Sequence, residues 1–210
     1  QALCEEMAIS SIVIPNSVTI IGEDAFEFCK ELTSVVIPNS VTTIGGSAFL
    51  GCLNLSSVII GKGVTSLGAS VFMGCKFKSV VVPNQVTTIP HTAFSYCREL
   101  TSVTLGKNVS SLMSSVFYRS NNIKEITCYA SEAPEVDVEA FNEIDSTAHL
   151  YVLASSINKY KQHPAWSKFI ISPIRAHEYS DSGSDVQVTT NASSATFVWP
   201  VSQNADTYIL

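Results

Sequence analysis

Apolar residues return in one fixed order along most of the chain. The set Ile9, Ile12, Ile14, Val18, Ile21, Phe26, Cys29 recurs as Leu32, Val35, Ile37, Val41, Ile44, Phe49, Cys52. It recurs again as Leu55, Val58, Ile60, Val64, Leu67, Phe72, Cys75. One residue is then lost, and the set continues in a fourth copy as Phe77, Val80, Val82, Val86, Ile89, Phe94, Cys97. The fifth holds Leu100, Val103, Leu105, Val109, Leu112, Phe117, with Ser120 in the cysteine position, and a looser sixth keeps Ile123, Ile126, Cys128 and Phe141. The phenylalanines Phe26, Phe49, Phe72, Phe94, Phe117 and Phe141 therefore step at 23, 23, 22, 23 and 24 residues. Self-similarity at that period marks a solenoid.

Each copy has a physical reading. Its first half, L-x-x-V-x-I, alternates apolar and polar positions and is rich in β-branched residues, which predicts a strand with one buried face. A turn follows at Pro-Asn or Gly-Lys: Pro15-Asn16, Pro38-Asn39, Gly61-Lys62, Pro83-Asn84, Gly106-Lys107. The next segment, V-T-x-I-G, is predicted as a second short extended piece stopped by Gly22, Gly45 or Gly68. The A-F-x-x-C end is too short for an independent helix and is predicted as a single α or 3₁₀ turn with its Phe pointing inward. No copy can bury its apolar set alone, so stability must come from stacking. Stacked strands lie about 4.8 Å apart. The predicted fold class is a repeat solenoid, leucine-rich-repeat-like, β-rich with short helical turns, a parallel sheet on one face and a C-terminal cap.

The period divides the chain. Residues 1–141 form the solenoid of about six repeats, with residues 1–8 fitting it poorly. Residues 142–175 break the period and are expected to close the open end. There Leu150 and Val152 suggest a final strand, Ser155 or Ser156 a helix cap, Pro164 a helix stop, and Tyr160, Trp166 and Phe169 an apolar lid. Residues 176–185, rich in Ser and Gly, read as a linker. Residues 186–210 read as three short strands, V-Q-V, A-T-F-V-W and D-T-Y-I-L, of a truncated β-sandwich-like segment.

The pattern L-T-S-V-x-I-P-N-S-V-T-T-I-G-x-x-A-F-x-x-C resembles the BspA-type leucine-rich repeat of bacterial surface proteins, closely over residues 9–120 and loosely over 121–141. Two departures stand out, the Gly-Lys turns and the 22-residue copy, and neither is expected to disturb the core pattern. The segment H-L-Y-V-L-A-S-S-I-N-K-Y-K-Q-H-P-A-W-S-K-F-I-I resembles the closing segment of the same family. Residues 195–199 and 205–210 resemble the early strands of a fibronectin type III or other immunoglobulin-like module. The family resemblance implies a bacterial cell-surface or secreted protein that attaches to host proteins or extracellular matrix.

Composition narrows the partners. With 46% hydrophobic and 14% charged residues the chain has ample material for a core. Its net charge of −6 and lack of a basic run argue against nucleic acid. No apolar stretch reaches the roughly 18–20 residues of a membrane span, so no transmembrane segment is expected.

Little in the sequence points to catalysis. Cys29, Cys52, Cys75 and Cys97 fall in one column, and a line of thiols with parallel Cβ directions suits neither disulfides nor tetrahedral zinc. They read as small buried hydrophobes. A Cys4–Cys128 bridge would have to cross several coils. His91, His149, His163 and His177 lie in different segments. No nucleophile elbow, phosphate-cradling loop or repeated Cys-x-x-Cys pair is present. The acidic group Glu132, Glu135, Asp137, Glu139, Glu143 and Asp145 reads mainly as a solvated loop, with a calcium site, a partner contact or a glycosidase pair as lesser readings. Asp181 and Asp185 in D-S-G-S-D read as a turn. No cofactor is expected.

The outward side of the strand is the candidate site. If Val35 and Ile37 point inward, Ser34 and Val36 point outward. The columns are then Ser11, Ser34, Ser57, Ser79, Ser102, Glu125 and Val13, Val36, Ile59, Val81, Thr104, Thr127. A β-branched column suits any pleated surface. Parallel sheets are usually covered on both faces, and no cover is evident here. Val13, Ser34, Val36, Ser57, Ile59, Ser79, Val81, Ser102 and Thr104 are therefore expected to meet a protein or glycan partner. A different class of function stays open, in which the array is a scaffold or targeting domain of a larger secreted enzyme with its catalytic part beyond Leu210.

Overall fold

The computed structural model describes residues 9–137, 139–174, 187–191 and 194–198. Two compact units result, Gln1–Pro173 and Ile174–Leu210. In the first unit coil one contributes β1 (Ile20–Ile21), coil two β2 (Ser34–Ile37) and β3 (Thr43–Ile44), and coil three β4 (Ser57–Ile60) and β5 (Ser66–Leu67). Coil four contributes β6 (Ser79–Val81) and β7 (Thr88–Ile89), coil five β8 (Ser102–Leu105) and β9 (Ser111–Leu112), and coil six β10 (Glu125–Cys128) and β11 (Glu135–Val136). The period then ends with β12 (His149–Val152), a 3₁₀ turn at Ala154–Ser156, α1 (Ile157–Gln162) and β13 (Ile170–Pro173). On one side β2 pairs parallel with β4, and β6, β8, β10, β12 and β13 form a second parallel sheet; on the next side β1, β3 and β5 form one parallel sheet and β7, β9 and β11 another.

The inward sets meet as the repeat requires. Val35, Ile37, Val80, Val82, Val103 and Leu105 are at most 2% exposed. The Phe column stacks ring on ring, with centroids 5.2 Å apart for Phe26–Phe49, 5.4 Å for Phe49–Phe72 and 5.9 Å for Phe72–Phe94. The Gly-Lys turns also have a cause. The Lys62 N–H donates to Asn39 Oδ1 of the coil below (2.8 Å), and the Lys107 N–H to Asn84 Oδ1 (3.0 Å). A Cβ at Gly61 would lie 2.5 Å from the Pro38 carbonyl oxygen, and one at Gly106 2.6 Å from that of Pro83, so these two turns leave no room for a side chain.

The A-F-x-x-C segment is not the α or 3₁₀ turn expected. Two residues in each of the first five copies take left-handed backbone: Asp24, Ser47, Ser70, Thr92 and Ser115 two before the Phe, and Phe28, Gly51, Gly74, Tyr96 and Arg119 two after it. Most of these carry side chains, for which that conformation is uncommon. The resulting zigzag turns alternate N–H groups toward the next coil. Ser47, Phe49 and Gly51 thus donate to Ala69, Val71 and Met73 carbonyls at 2.8, 2.9 and 2.8 Å. Hydrogen bonds between coils replace those a helix would make within one.

The 22-residue copy disturbs more than expected. Both strand columns stop between coils three and four: β4 does not pair with β6, nor β5 with β7. Val58 and Ile60, inward-facing like Val35 and Ile37, are only half-buried beside this break. Phe77 stands where the other coils have Leu or Ile, edge-on to Phe72 (5.9 Å) and Phe94 (6.5 Å).

Beyond coil six the core is closed by aromatic rings. Trp166 and Phe169 pack on Phe141 at 4.7 and 5.2 Å, and Tyr160 packs on Trp166 at 5.5 Å. The Tyr160 hydroxyl donates to the Ala130 carbonyl (2.9 Å), and Trp166 Nε1 to the Pro134 carbonyl (2.8 Å). Ser156 occupies the N-cap position but does not cap. Its buried hydroxyl donates instead to the Ser131 carbonyl one coil earlier (2.9 Å). In the second unit β14 (Gln187–Asn191) and β15 (Ser194–Val198) pair antiparallel. Cys4, His177, the predicted linker, the Asp181/Asp185 turn and the predicted third strand lie outside the described residues.

Candidate functional site

Strand register fixes the outward columns. Ser34 pairs with Ser57 and Val36 with Ile59, while Ser79 pairs with Ser102 and Val81 with Thr104. Val13 and Val81 are 77% and 54% exposed, Ser34 is exposed, and Val36, Ser57, Ile59, Ser79, Ser102 and Thr104 are half-buried. Among the described residues of this unit no strand or helix is laid over these columns.

The face extends further than the sequence reading took it. β12 pairs with β10 and β13 with β12, which places His149 and Ile170 in the column of Ser102 and Glu125. Tyr151 and Ser172 likewise follow Thr104 and Thr127. The His149 and Tyr151 rings stack at 5.9 Å, and Ile170 is 45% exposed. The signal was available, since an inward Leu150 and Val152 require an outward His149 and Tyr151.

The other candidates have different roles. Cys52, Cys75 and Cys97 are buried free thiols that donate to the Phe26, Phe49 and Phe72 carbonyls of the preceding coil at 3.1, 3.3 and 3.2 Å. Ser120 donates to the Phe94 carbonyl in the same way (2.7 Å), which explains why a hydroxyl can stand in this column. Burial pushes the Cys52 and Cys97 thiols up to about 12, well away from a reactive thiolate. Cys29 departs from the expected column of simple buried hydrophobes: it is buried but disulfide-bonded. It is the first rung, with no earlier member of the described column beneath it.

The acidic residues do not converge. Glu132 pairs with Lys159, Glu135 lies 4.0 Å from His163, and Glu139 accepts from the Ser115 hydroxyl (3.3 Å). Asp145 accepts the Thr147 N–H (2.7 Å), a bond that holds its carboxyl below the usual range. No group of three or more His, Cys, Asp or Glu among the described residues is arranged to hold a metal ion. Nor is any described helix long and apolar enough to cross a membrane.

Known proteins agree with this architecture. A leucine-rich repeat protein from Bacteroides ovatus is 30% identical over 69% of this chain and 40% of its own, with a TM-score of 0.55. A leucine rich cell surface protein from Faecalibacterium prausnitzii shares the fold at 21% identity, over 72% of this chain and 50% of its own, with a TM-score of 0.53. A leucine-rich repeat protein from Eubacterium ventriosum does so at 20% identity, over 71% and 43%, with a TM-score of 0.55. The chain thus spans half or less of the length of these solved relatives. No curated protein matches it. Repeats of this family are generally non-catalytic. Six copies of the BspA type leucine rich repeat region match residues 1–76 and 65–165, and the chain belongs to that family.

Proposed function

We propose that this chain is a binding module of a bacterial cell-surface or secreted protein, and that its outward strand face docks a protein or glycan partner. The observation that carries the reading is the uncovered column pair: β-branched residues flanked by hydroxyls, continued by the His149–Tyr151 stack. Aromatic rings and exposed apolar side chains at the centre of a patch, rimmed by polar groups, are what a docking surface needs. Host extracellular matrix proteins and their glycans are the partner class we favour. The cell-surface relative from Faecalibacterium prausnitzii supports placement at or beyond the surface. The disulfide at Cys29 supports it too, because such bonds persist in oxidising compartments. Residues 186–210, with the β14–β15 hairpin, are read as the start of an immunoglobulin-like spacer.

The test is a binding array of matrix proteins and glycans probed with the chain and with a triple variant, Val36→Ser, Ile59→Ser and Val81→Ser. Loss of a detected interaction with the melting transition retained supports the assignment. Unchanged affinity of the triple variant moves the site elsewhere.

A further inference from the structure

The break between coils three and four is more systematic than a pair of missing strand contacts. At every other boundary of the first six coils three backbone bonds recur on the strand side. Between coils two and three they are Ser56 N–H to Thr33 O, Thr65 N–H to Thr42 O, and Gly68 N–H to Ile44 O, at 2.9, 2.8 and 2.8 Å. Between coils four and five they are Thr101 to Lys78, Ser110 to Thr87, and Met113 to Ile89, at 2.8, 2.8 and 3.0 Å. The one-to-two and five-to-six boundaries carry the same three. At the three-to-four boundary all three are missing.

The sequence of coil four explains the gap. Pro90 occupies the position of Gly45, Gly68 and Met113 and has no N–H to donate. Lys78 stands where Thr33, Ser56 and Thr101 stand. Those hydroxyls add a second bond to the coil below, at 3.3, 3.2 and 3.1 Å, that an ammonium side chain does not replace. Phe77 puts a ring where the other coils have Leu or Ile, and one residue is missing between Cys75 and Phe77.

The turn side is intact at the same boundary. Ser70, Phe72 and Gly74 donate to the His91, Ala93 and Ser95 carbonyls at 3.0, 3.0 and 2.8 Å. The Ser70 and Thr92 hydroxyls are 2.7 Å apart, and the Cys97 thiol reaches the Phe72 carbonyl at 3.2 Å. One edge of the boundary is therefore fastened and the other two are not.

We propose that this boundary is a hinge, with its fastened Phe-turn edge as the axis and coils one to three and coils four onward as the two blocks. Opening widens the strand side between Ile59 and Val81 and changes the angle between the two halves of the outward face. Unpaired backbone groups along one edge, with the opposite edge fastened, are what a hinge between rigid blocks requires.

Spin labels on introduced cysteines test it, since the native buried thiols resist labelling while the chain is folded. A pair at Ser34 and Ser102 spans three coils across the boundary, and a pair at Ser79 and His149 spans three coils beyond it. Pulsed electron–electron distances should give the first pair a distribution at least about twofold broader than the second, as expected of blocks moving about a hinge. Narrowing of that distribution in a Phe77→Leu, Pro90→Gly variant would tie the motion to the residues named. Equal, narrow distributions for both pairs in the unmodified background would overturn the hinge, whether or not that variant folds.

Discussion

The turn side and the strand side of the same coils are built on different terms. On the turn side the Phe rings are stacked and the thiols donate to carbonyls, while N–H groups run from coil to coil across the four boundaries between coils one and five. On the strand side the inward residues of coils two to five are buried except Val58 and Ile60, the outward ones are half-buried or exposed, and the ladders stop once. Cohesion is thus concentrated on the turn side. The side that meets solvent can vary its surface, and even lose a set of bonds, without loss of the fold.

Substitutions should separate the two sides. Phe72→Ala removes a fully buried ring with neighbours on three sides, and should cost about 3–5 kcal/mol in urea unfolding. Alkaline pH should also weaken the turn side. Burial raises the Cys52 and Cys97 thiols from 9.0 to about 12, so the folded chain holds protons that the unfolded chain releases. The contribution of these thiols is then full below pH 9 and is lost as the pH rises from 9 toward 12. Cys97→Ser should flatten that slope, a change visible in unfolding curves taken across the range. The smallest effect belongs to the outer face. Each of Val36→Ser, Ile59→Ser and Val81→Ser should shift stability by no more than about 0.5–1 kcal/mol, as for surface sites away from packed features. A loss on the scale of the Phe variant would erase the contrast.

The sequence made the repeat visible because stacking forces equal side chains into columns, and Phe at a near-constant period cannot hide. The outward columns followed from strand alternation alone. What stayed illegible was whatever depends on backbone direction. Nothing in A-F-x-x-C says that Ser47 takes left-handed backbone, or that a Cys is a donor to the Phe carbonyl below it. The one-residue deletion was legible, but not its consequence, since the apolar set it interrupts is complete. Pro90 was the missed clue: it stands where the other described coils have a residue that can donate. At the cap, the Ser156 hydroxyl faced two acceptors, its own helix and the Ser131 carbonyl, and only the fold decides between them.

Native-state hydrogen exchange puts the contrast between the two sides to its most direct test. At the boundary of coils three and four the amides of Phe72 and Gly74 should exchange only through global unfolding. Those of Lys78, Ser79 and Thr87 should exchange far faster than Ser56, Ser57 and Thr65 one coil earlier. Uniform protection across all of these amides would contradict the account.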